Sequence, residues 1–209
     1  MKDAAIKHLC TRDARLKPWI DRIGPIELPR RKTKEPYFAL LETIVYQQLH
    51  ASAASTIWGR VLDLFPDRLP IPERLIGLGD DALRGAGLSK SKAMTMRAIA
   101  ASALAGELPD AKSITRITEA EARERLMRIR GVGPWTVDML LIFTLRRPDV
   151  MPLNDYGVRK AFKMVYRSRD LPSPAQLSKR AELWRPYRST AALYLWKIAD
   201  SAGGKPVTS

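Results

Sequence analysis

The sequence predicts an all-α protein. Apolar residues recur at helical spacing along most of the chain, and no segment sustains the two-residue alternation of a half-buried strand. The 15 prolines and 12 glycines fall at intervals throughout, which indicates many short helices rather than one long linker. We therefore expect strands to be few or absent.

Capping signals place the individual helices. Pro36 and Pro134 stand where a helix begins, and Ser89 is a good N-cap. Thr118 with Glu121 matches a capping box. The predicted helices are 37–49, 52–65, 72–78, 81–86, 90–105, 118–129, 134–145, 155–166, 174–184 and 187–200.

Net charge is the most informative feature of the composition. The chain has 36 Lys and Arg against 22 Asp and Glu, which gives a net charge of +14 and a pI of about 10.2. Each phosphate that a cationic side chain neutralises releases condensed counterions, so this excess favours a nucleic-acid partner. A helical protein that binds RNA or a membrane surface would explain the charge equally well, but it would not explain the motif spacing described below.

The cysteine and histidine content argues against disulfides and against most kinds of metal site. The single cysteine, Cys10, excludes an intramolecular disulfide and any four-cysteine zinc or iron–sulfur site. Two histidines argue against a zinc enzyme, so we expect no required cofactor. No apolar run approaches the roughly 20 residues that cross a bilayer, and the N-terminus lacks the apolar region of a signal peptide. We therefore expect neither membrane association nor secretion.

A tight turn at 131–134, Gly-Val-Gly-Pro, joins two predicted helices. Glycines two apart expose consecutive backbone N–H groups beside a helix start, and such a nest binds phosphate without a basic side chain. A Cβ would intrude between backbone and phosphate, which is a reason for glycine here. An ordinary interhelical turn with a glycine C-cap is the alternative for an isolated G-x-G.

The wider segment, LMRIRGVGPWTVDMLL at 126–141, resembles the helix–hairpin–helix motif of DNA repair glycosylases. The DNA-binding residues implied there are Gly131, Val132, Gly133 and Thr136. In that family a monovalent cation, Na+ or K+, is held by hairpin carbonyls and helps to bind a phosphate. The ligands implied here are the backbone carbonyls of Met127, Ile129 and Val132.

Asp155 opens a predicted helix in the segment PLNDYGVRKA at 152–161. Taken alone, an acid at a helix start is most often a cap. A hairpin followed by a proline-containing loop and a helix-opening Asp, however, resembles the signature of the same superfamily, in the form found in its alkylated-base branch. The resemblance implies that Asp155 is the catalytic carboxylate. Cleavage of an N-glycosidic bond builds positive charge on the sugar, which a fixed anion stabilises, and the same carboxylate can orient or deprotonate the attacking water.

Trp135 bears on the reaction type. In the bifunctional members of the superfamily, a lysine two residues after the second hairpin glycine forms a Schiff base with the sugar. Here that position is Trp135. We therefore predict a monofunctional enzyme that leaves an abasic site and does not cut the strand.

Aromatic residues suit a pocket for a flipped base. The resemblance implies that Trp135, Met139 and Trp196 line it, and electron-rich indoles attract cationic alkylpurines. Burial in the core is the alternative for both tryptophans.

Small residues follow QQLH in the segment 47–54, which resembles the minor-groove insertion loop of alkylbase glycosylases. Gln48, Leu49 and His50 are the implied DNA contacts, although an isolated His50 would be interpreted as complementing a helix dipole.

Together these observations predict a base-excision DNA glycosylase that releases 3-methyladenine and related N-alkylpurines from double-stranded DNA. A non-catalytic helix–hairpin–helix protein that recognises damaged DNA is the alternative.

We expect two helical subdomains with a DNA-binding cleft between them, one at 36–147 and one combining 1–35 with 148–209, with boundaries in 24–36 and 148–152. We further expect a monomer, in the cytoplasm with the nucleoid of a bacterium or in the nucleus of a eukaryote.

Overall fold

The computed structural model describes residues 2–26 and 35–201, and within these ranges the chain forms helices and no strands. The all-α prediction is therefore confirmed. The predicted boundary segment 24–36 lies mostly outside the described residues. The chain divides into two compact units. The central unit is Arg31–Leu145, and the terminal unit combines Met1–Arg30 with Arg146–Ser209.

The central unit contains eight α-helices among its described residues. They are α3 (Pro36–Tyr46), α4 (Ala51–Asp63), α5 (Pro72–Gly77), α6 (Asp80–Gly85), α7 (Lys90–Leu104), α8 (Ala111–Arg116), α9 (Glu119–Met127) and α10 (Pro134–Met139). A π-helical turn, Leu140–Thr144, follows α10 directly. Side chains with no exposed surface form its core, among them Leu40, Leu41, Ile44, Val61, Leu75, Met96, Ile99, Leu126 and Val137.

Local capping determines several helix starts in this unit. Ser89 accepts the backbone N–H of Lys92 at the start of α7. Thr118 and Glu121 form the predicted capping box at the start of α9. Pro134 lies in the first turn of α10, where its missing N–H leaves no hydrogen bond unmade. These three predictions are confirmed.

In the described part of the terminal unit, five α-helices pack around a second core. They are α1 (Lys2–Arg12), α2 (Lys17–Ile23), α11 (Tyr156–Tyr166), α12 (Pro174–Ala181) and α13 (Arg188–Ser201). The core is formed by Leu9, Leu16, Ile20, Val158, Phe162, Leu177, Trp184, Tyr194, Leu195 and Ile198, together with smaller and partly buried neighbours. Helices α1 and α2 were not predicted from the sequence.

A buried carboxylate, Asp13, joins the two ends of the chain within the terminal unit. Its side chain is fully buried and accepts hydrogen bonds from Arg180 Nε and Nη2 at 3.1 and 3.0 Å and from Trp184 Nε1 at 2.9 Å. The Tyr166 hydroxyl also donates to Asp13, and the backbone N–H of Leu16 does so at 3.2 Å. Burial alone would raise the pKa of Asp13, but the hydrogen bonds from Arg180, Tyr166 and Trp184 outweigh it and lower the pKa.

Candidate functional site

Asp155 immediately precedes α11, and one of its oxygens receives two hydrogen bonds. The backbone N–H of Val158 donates to Oδ1 at 2.8 Å, which makes Asp155 the N-cap of the helix. The indole Nε1–H of Trp196, on α13, donates to the same Oδ1 at 2.9 Å. The side chain is half-buried. Asp155 therefore caps α11. The additional hydrogen bond from Trp196 is not needed for capping.

Gly157 is adjacent to this pair. A Cβ built at residue 157 would lie 3.2 Å from Asp155 Oδ1 and 3.2 Å from Trp196 Cδ1. Both distances are shorter than an ordinary van der Waals contact, so a larger residue would push on the carboxylate and the indole together. The glycine in this motif is thus explained by the space around the pair.

The loop that leads to Asp155 is held against the first turn of α13. The Ser189 hydroxyl donates to the carbonyl of Arg147 at 2.7 Å and accepts the backbone N–H of Val150 at 2.9 Å. Arg188 Nε donates to Asp149 Oδ1 at 2.8 Å, and its Nη2 donates to the Asp149 carbonyl at 2.7 Å. One helix therefore fixes both the loop and, two turns later, the carboxylate. Ser189 and Arg188 were not predicted from the sequence, because neither belongs to the motif they support.

The hairpin turn connects α9 to α10 in the central unit. Gly131 has φ +84°, in the left-handed region, and the backbone N–H of Val132 donates to the Ile129 carbonyl at 3.0 Å. A Cβ at residue 131 would overlap the side chain of Thr95 on α7, whereas a Cβ at Gly133 would meet nothing within 4 Å. The sequence suggested one reason for both glycines, the approach of a phosphate. The structure shows that Gly131 is instead required by backbone conformation and by packing on Thr95, while Gly133 borders open space.

A buried ion pair holds the two hairpin helices together. Arg123 Nη2 on α9 lies 2.6 Å from Asp138 Oδ1 on α10, and Glu119 binds the same guanidinium at 2.8 Å. The Asp138 side chain is only 7% exposed. Burial alone would lower the pKa of Arg123, but the charge of Asp138 and the hydrogen bonds outweigh it and raise the pKa. The turn is thus carried on two helices with a fixed mutual geometry.

The segment between α3 and α4 presents three exposed side chains. Gln48, Leu49 and His50 are all exposed, and Gln48 has φ +55°. The preceding Gln47 is anchored to α10, because its Nε2 donates to Thr136 Oγ1 at 2.8 Å. The three residues predicted to contact DNA therefore project from a turn whose base is anchored.

The remaining predicted residues differ in exposure. Thr136 is 1% exposed and Met139 is 6% exposed, so both side chains are buried. Trp135 is half-buried. Thr136 is engaged by Gln47, and we assign it a supporting position instead of a surface contact. Trp196, one of the predicted pocket residues, contacts Asp155 directly.

Neither a membrane span nor a metal cluster is found in residues 2–26 and 35–201. No helix there is long and apolar enough to span a bilayer. No group of three or more His, Cys, Asp or Glu side chains in the same ranges is arranged to hold a metal ion.

Comparison with known proteins matches the chain to one family. Residues 41–186 match the profile described as HhH-GPD superfamily base excision DNA repair protein. The DNA-3-methyladenine glycosylase 1 of Schizosaccharomyces pombe is 34% identical over 203 residues, which cover 96% of this chain and 89% of the yeast protein.

Two solved structures are also similar. A 3-methyladenine DNA glycosylase of the same yeast, in complex with abasic DNA, matches with a TM-score of 0.88 and 34% identity, covering 93% of this chain and 95% of that one. A DNA-3-methyladenine glycosidase of Bacillus halodurans matches with a TM-score of 0.80 and 33% identity, covering 96% of this chain and 91% of that one.

Proposed function

Because the chain belongs to the HhH-GPD superfamily of base excision DNA repair proteins, we propose that it is a monofunctional DNA glycosylase for alkylated purines. It hydrolyses the N-glycosidic bond of 3-methyladenine and related N-alkylpurines in duplex DNA and leaves an abasic site. The substrate class is supported by similarity to proteins named DNA-3-methyladenine glycosylase. The observation that carries the proposal is the carboxylate of Asp155, fixed by N–H donors from Val158 and Trp196.

The fixed carboxylate suits this reaction for an electrostatic reason. As the bond between sugar and base breaks, positive charge develops on the sugar, and a preorganised anion beside it lowers the barrier without having to reorient. Asp155 also orients or deprotonates the water that attacks the sugar carbon. Holding Oδ1 with two N–H groups prevents the carboxylate from rotating away during the reaction.

Trp135 supports hydrolysis without strand cleavage. By resemblance, it occupies the position of the lysine that forms a Schiff base in bifunctional members, and an indole has no nucleophilic amine. The product is therefore an intact strand with an abasic site.

The base is recognised by stacking. A purine nucleotide alkylated at N3 or N7 carries a positive charge, which electron-rich rings attract by roughly 0.5–2 kcal/mol. Trp135 and Trp196 supply such rings, and Met139 supplies a polarisable thioether. The Trp196 N–H is donated to Asp155, so in this proposal the ring face remains the part that binds the base.

DNA is held by the hairpin and by the segment between α3 and α4. The turn Gly131–Gly133 binds a phosphate through the backbone N–H groups of its two glycines, while the Val132 N–H holds the turn by donating to the Ile129 carbonyl. Gly133 borders the open space that the approach of the phosphate needs. The carbonyls of Met127, Ile129 and Val132 would hold a monovalent cation, Na+ or K+. Neutral oxygens suit a hard cation, and the Ile129 carbonyl, which accepts one hydrogen bond, keeps a second lone pair. Bound there, the cation would supply positive charge to a phosphate. Gln48, Leu49 and His50 enter the minor groove.

We further propose the functional boundaries 36–147 and 1–35 with 148–209, the second part carrying the catalytic Asp155. The enzyme acts as a monomer wherever genomic DNA resides, the cytoplasm of a bacterium or the nucleus of a eukaryote.

The decisive experiment compares wild type with Asp155→Asn on a duplex that carries 3-methyladenine or 1,N6-ethenoadenine, followed by alkali to reveal abasic sites. Asparagine keeps an oxygen that can cap α11, so the fold is retained while the charge is lost. We expect base release to fall by about 10²–10³-fold, as when one preorganised stabilising group is removed.

Asp110→Asn is the matched control. Asp110 is also an N-cap, accepting the Ser113 N–H at 2.7 Å, and the same substitution there should leave base release unchanged. Full activity of Asp155→Asn would refute the catalytic role. Tight binding to damaged DNA by a wild type that releases no base would instead identify a non-catalytic binder. Strand cleavage without alkali would refute the monofunctional assignment.

A further inference from the structure

Lys92 connects α7 to the turn that presents the predicted inserting residues. This insertion turn, Gln47–His50, follows the end of α3 at Tyr46, where the last backbone carbonyls of the helix need partners from elsewhere. Lys92 Nζ donates to the Val45 carbonyl at 2.8 Å and to the Gln47 carbonyl at 2.8 Å. We propose that Lys92 is a positioning residue for base flipping, which holds the insertion turn in the shape that enters the DNA.

The chemistry of an ammonium group suits this position. It is a compact charge with three donors, so it can bind two carbonyls that point in different directions. Its positive charge also lies at the C-terminal, negative end of the α3 dipole. The Lys92 backbone is fixed as well, because its N–H donates to the Ser89 side chain at 3.3 Å. Partial burial of the ammonium lowers the pKa of Lys92.

A second side-chain hydrogen bond holds the same turn. Gln47 Nε2 donates to Thr136 Oγ1 on α10, so the turn is connected to α7 on one side and to the second hairpin helix on the other. Gln48, between the tied Gln47 and the exposed Leu49, has φ +55°. A non-glycine residue in this left-handed region is strained, and it stays there only where its surroundings hold it. The Leu49 N–H closes the turn around Gln48 by donating to the Tyr46 carbonyl at 3.4 Å. Lys92 and Thr136 hold this turn from two sides through Gln47.

A rigid turn matters because insertion is an ordering step. A segment that is already in its inserting conformation loses less conformational entropy when it enters the duplex. Lys92 touches neither the base nor Asp155 in this scheme and acts through Gln48. The inference rests on the proposed function, in which Gln48 fills the gap left by the flipped base.

The test uses the full chain with Lys92→Met, which keeps most of the side-chain length and removes the donors. Lys112→Met, an exposed lysine in the same unit, is the control for lost charge. Each protein is assayed for kcat/KM on 1,N6-ethenoadenine in a fully paired duplex and in an unpaired bulge, where the base is already unstacked. We expect a loss of about tenfold or more on the paired duplex, from two charge-assisted hydrogen bonds, and less than about threefold on the bulge.

A double-mutant cycle with Gln48→Ala separates positioning from general stability. If Lys92 acts through Gln48, then Lys92→Met should add little to the loss already caused by Gln48→Ala. An additive loss of equal size on both substrates would overturn the inference, and so would a Lys92→Met enzyme that matches Lys112→Met. If Lys92→Met does not fold, Lys92→Arg replaces it, because a planar guanidinium keeps the charge and not the geometry.

Fluorescence of 2-aminopurine placed next to the lesion reports flipping without catalysis. We expect Lys92→Met to reduce the fluorescence rise on binding, and an unchanged rise would overturn the inference. A wild type that unstacks the base but releases none would refute the proposed function and leave the role of Lys92 in flipping supported.

Discussion

The indole nitrogen of Trp196 lies 2.9 Å from Oδ1 of Asp155, a residue 41 positions earlier in the chain. The same oxygen also caps α11 through the Val158 N–H. An acid at a helix start usually only caps the helix, but here two N–H donors hold the Asp155 carboxylate in one orientation. The arrangement makes the activity of Asp155 depend on a side chain of α13, and this dependence can be measured.

Trp196→Phe should slow base release by about tenfold. The phenyl ring retains a stacking surface but lacks the N–H, and a hydrogen bond to a charged acceptor contributes about 1.5–3 kcal/mol, less where solvent screens it. The measurement is a single-turnover rate of base release. Trp58→Phe, at a half-buried indole of the central unit, should leave the rate unchanged. An undiminished rate in Trp196→Phe would show that the N–H contributes nothing to the reaction.

Gly157→Ala should separate stability from activity. Alanine favours a helix over glycine by up to about 1 kcal/mol, which offsets the strain on the Asp155 cap, so the melting temperature should stay nearly level. The new Cβ would meet Asp155 Oδ1 and Trp196 Cδ1 at 3.2 Å, and displacing them should lower kcat several-fold.

Gly59→Ala is the control for this substitution. Residue 59 lies within α4, and a Cβ there would meet only Arg68 Nη2, at 3.9 Å. Stability should rise without a change in kcat. A Gly157→Ala enzyme of full activity would show that the pair tolerates the contact.

The two hairpin glycines should respond differently to alanine. Gly131→Ala forces a residue with a Cβ into φ +84° and against Thr95, so the free energy of unfolding should drop by about 1–3 kcal/mol. Gly133→Ala meets nothing within 4 Å, so it should fold normally and yet bind DNA more weakly, because its Cβ enters the space proposed for the phosphate. Denaturant titration and a DNA-binding isotherm measure the two effects. Equal destabilisation by both substitutions would contradict the distinction.

Local signals in the sequence predicted much of the fold. The capping box of Thr118 and Glu121 and the Ser89 cap depend on residues three apart, so sequence reveals them directly. The family was also predictable, because the hairpin and the helix-opening Asp155 are contiguous motifs, and the match over residues 41–186 confirms it. Helix ends were less accurate. The helix predicted at 134–145 changes to a π-helical turn at Leu140, which apolar periodicity does not distinguish from a continued α-helix.

Contacts between distant residues were not predictable. Asp13 meets Tyr166, Arg180 and Trp184 across more than 150 positions, and no local pattern connects these residues in the sequence. Lys92 resembles any basic residue of a cationic protein until its ammonium is seen between two carbonyls. Gly157 belongs to the Asp155 motif in the sequence, but the reason for a glycine there is visible only from the position of Trp196.

Asp13 should make the terminal unit sensitive to acid. Its pKa in the folded protein is lowered below the ordinary value of 3.8, because hydrogen bonds from Arg180, Tyr166 and Trp184 outweigh the cost of burial. The unfolded chain therefore binds a proton more readily than the folded one as pH falls. The contribution of Asp13 to stability is present above pH 3.8 and is lost as pH drops below it toward the folded-state pKa.

Asp13→Asn tests this dependence by urea unfolding at several pH values. At neutral pH the variant should lose about 1–3 kcal/mol, since Arg180 loses its counter-charge but is partly exposed to solvent, which screens it. Its stability should also fall less steeply below pH 4 than that of wild type. Asp21→Asn, at an exposed carboxylate paired with Lys17 in the same unit, should retain the wild-type acid dependence. An Asp13→Asn variant whose stability falls as steeply as that of wild type would show that other carboxylates govern acid unfolding.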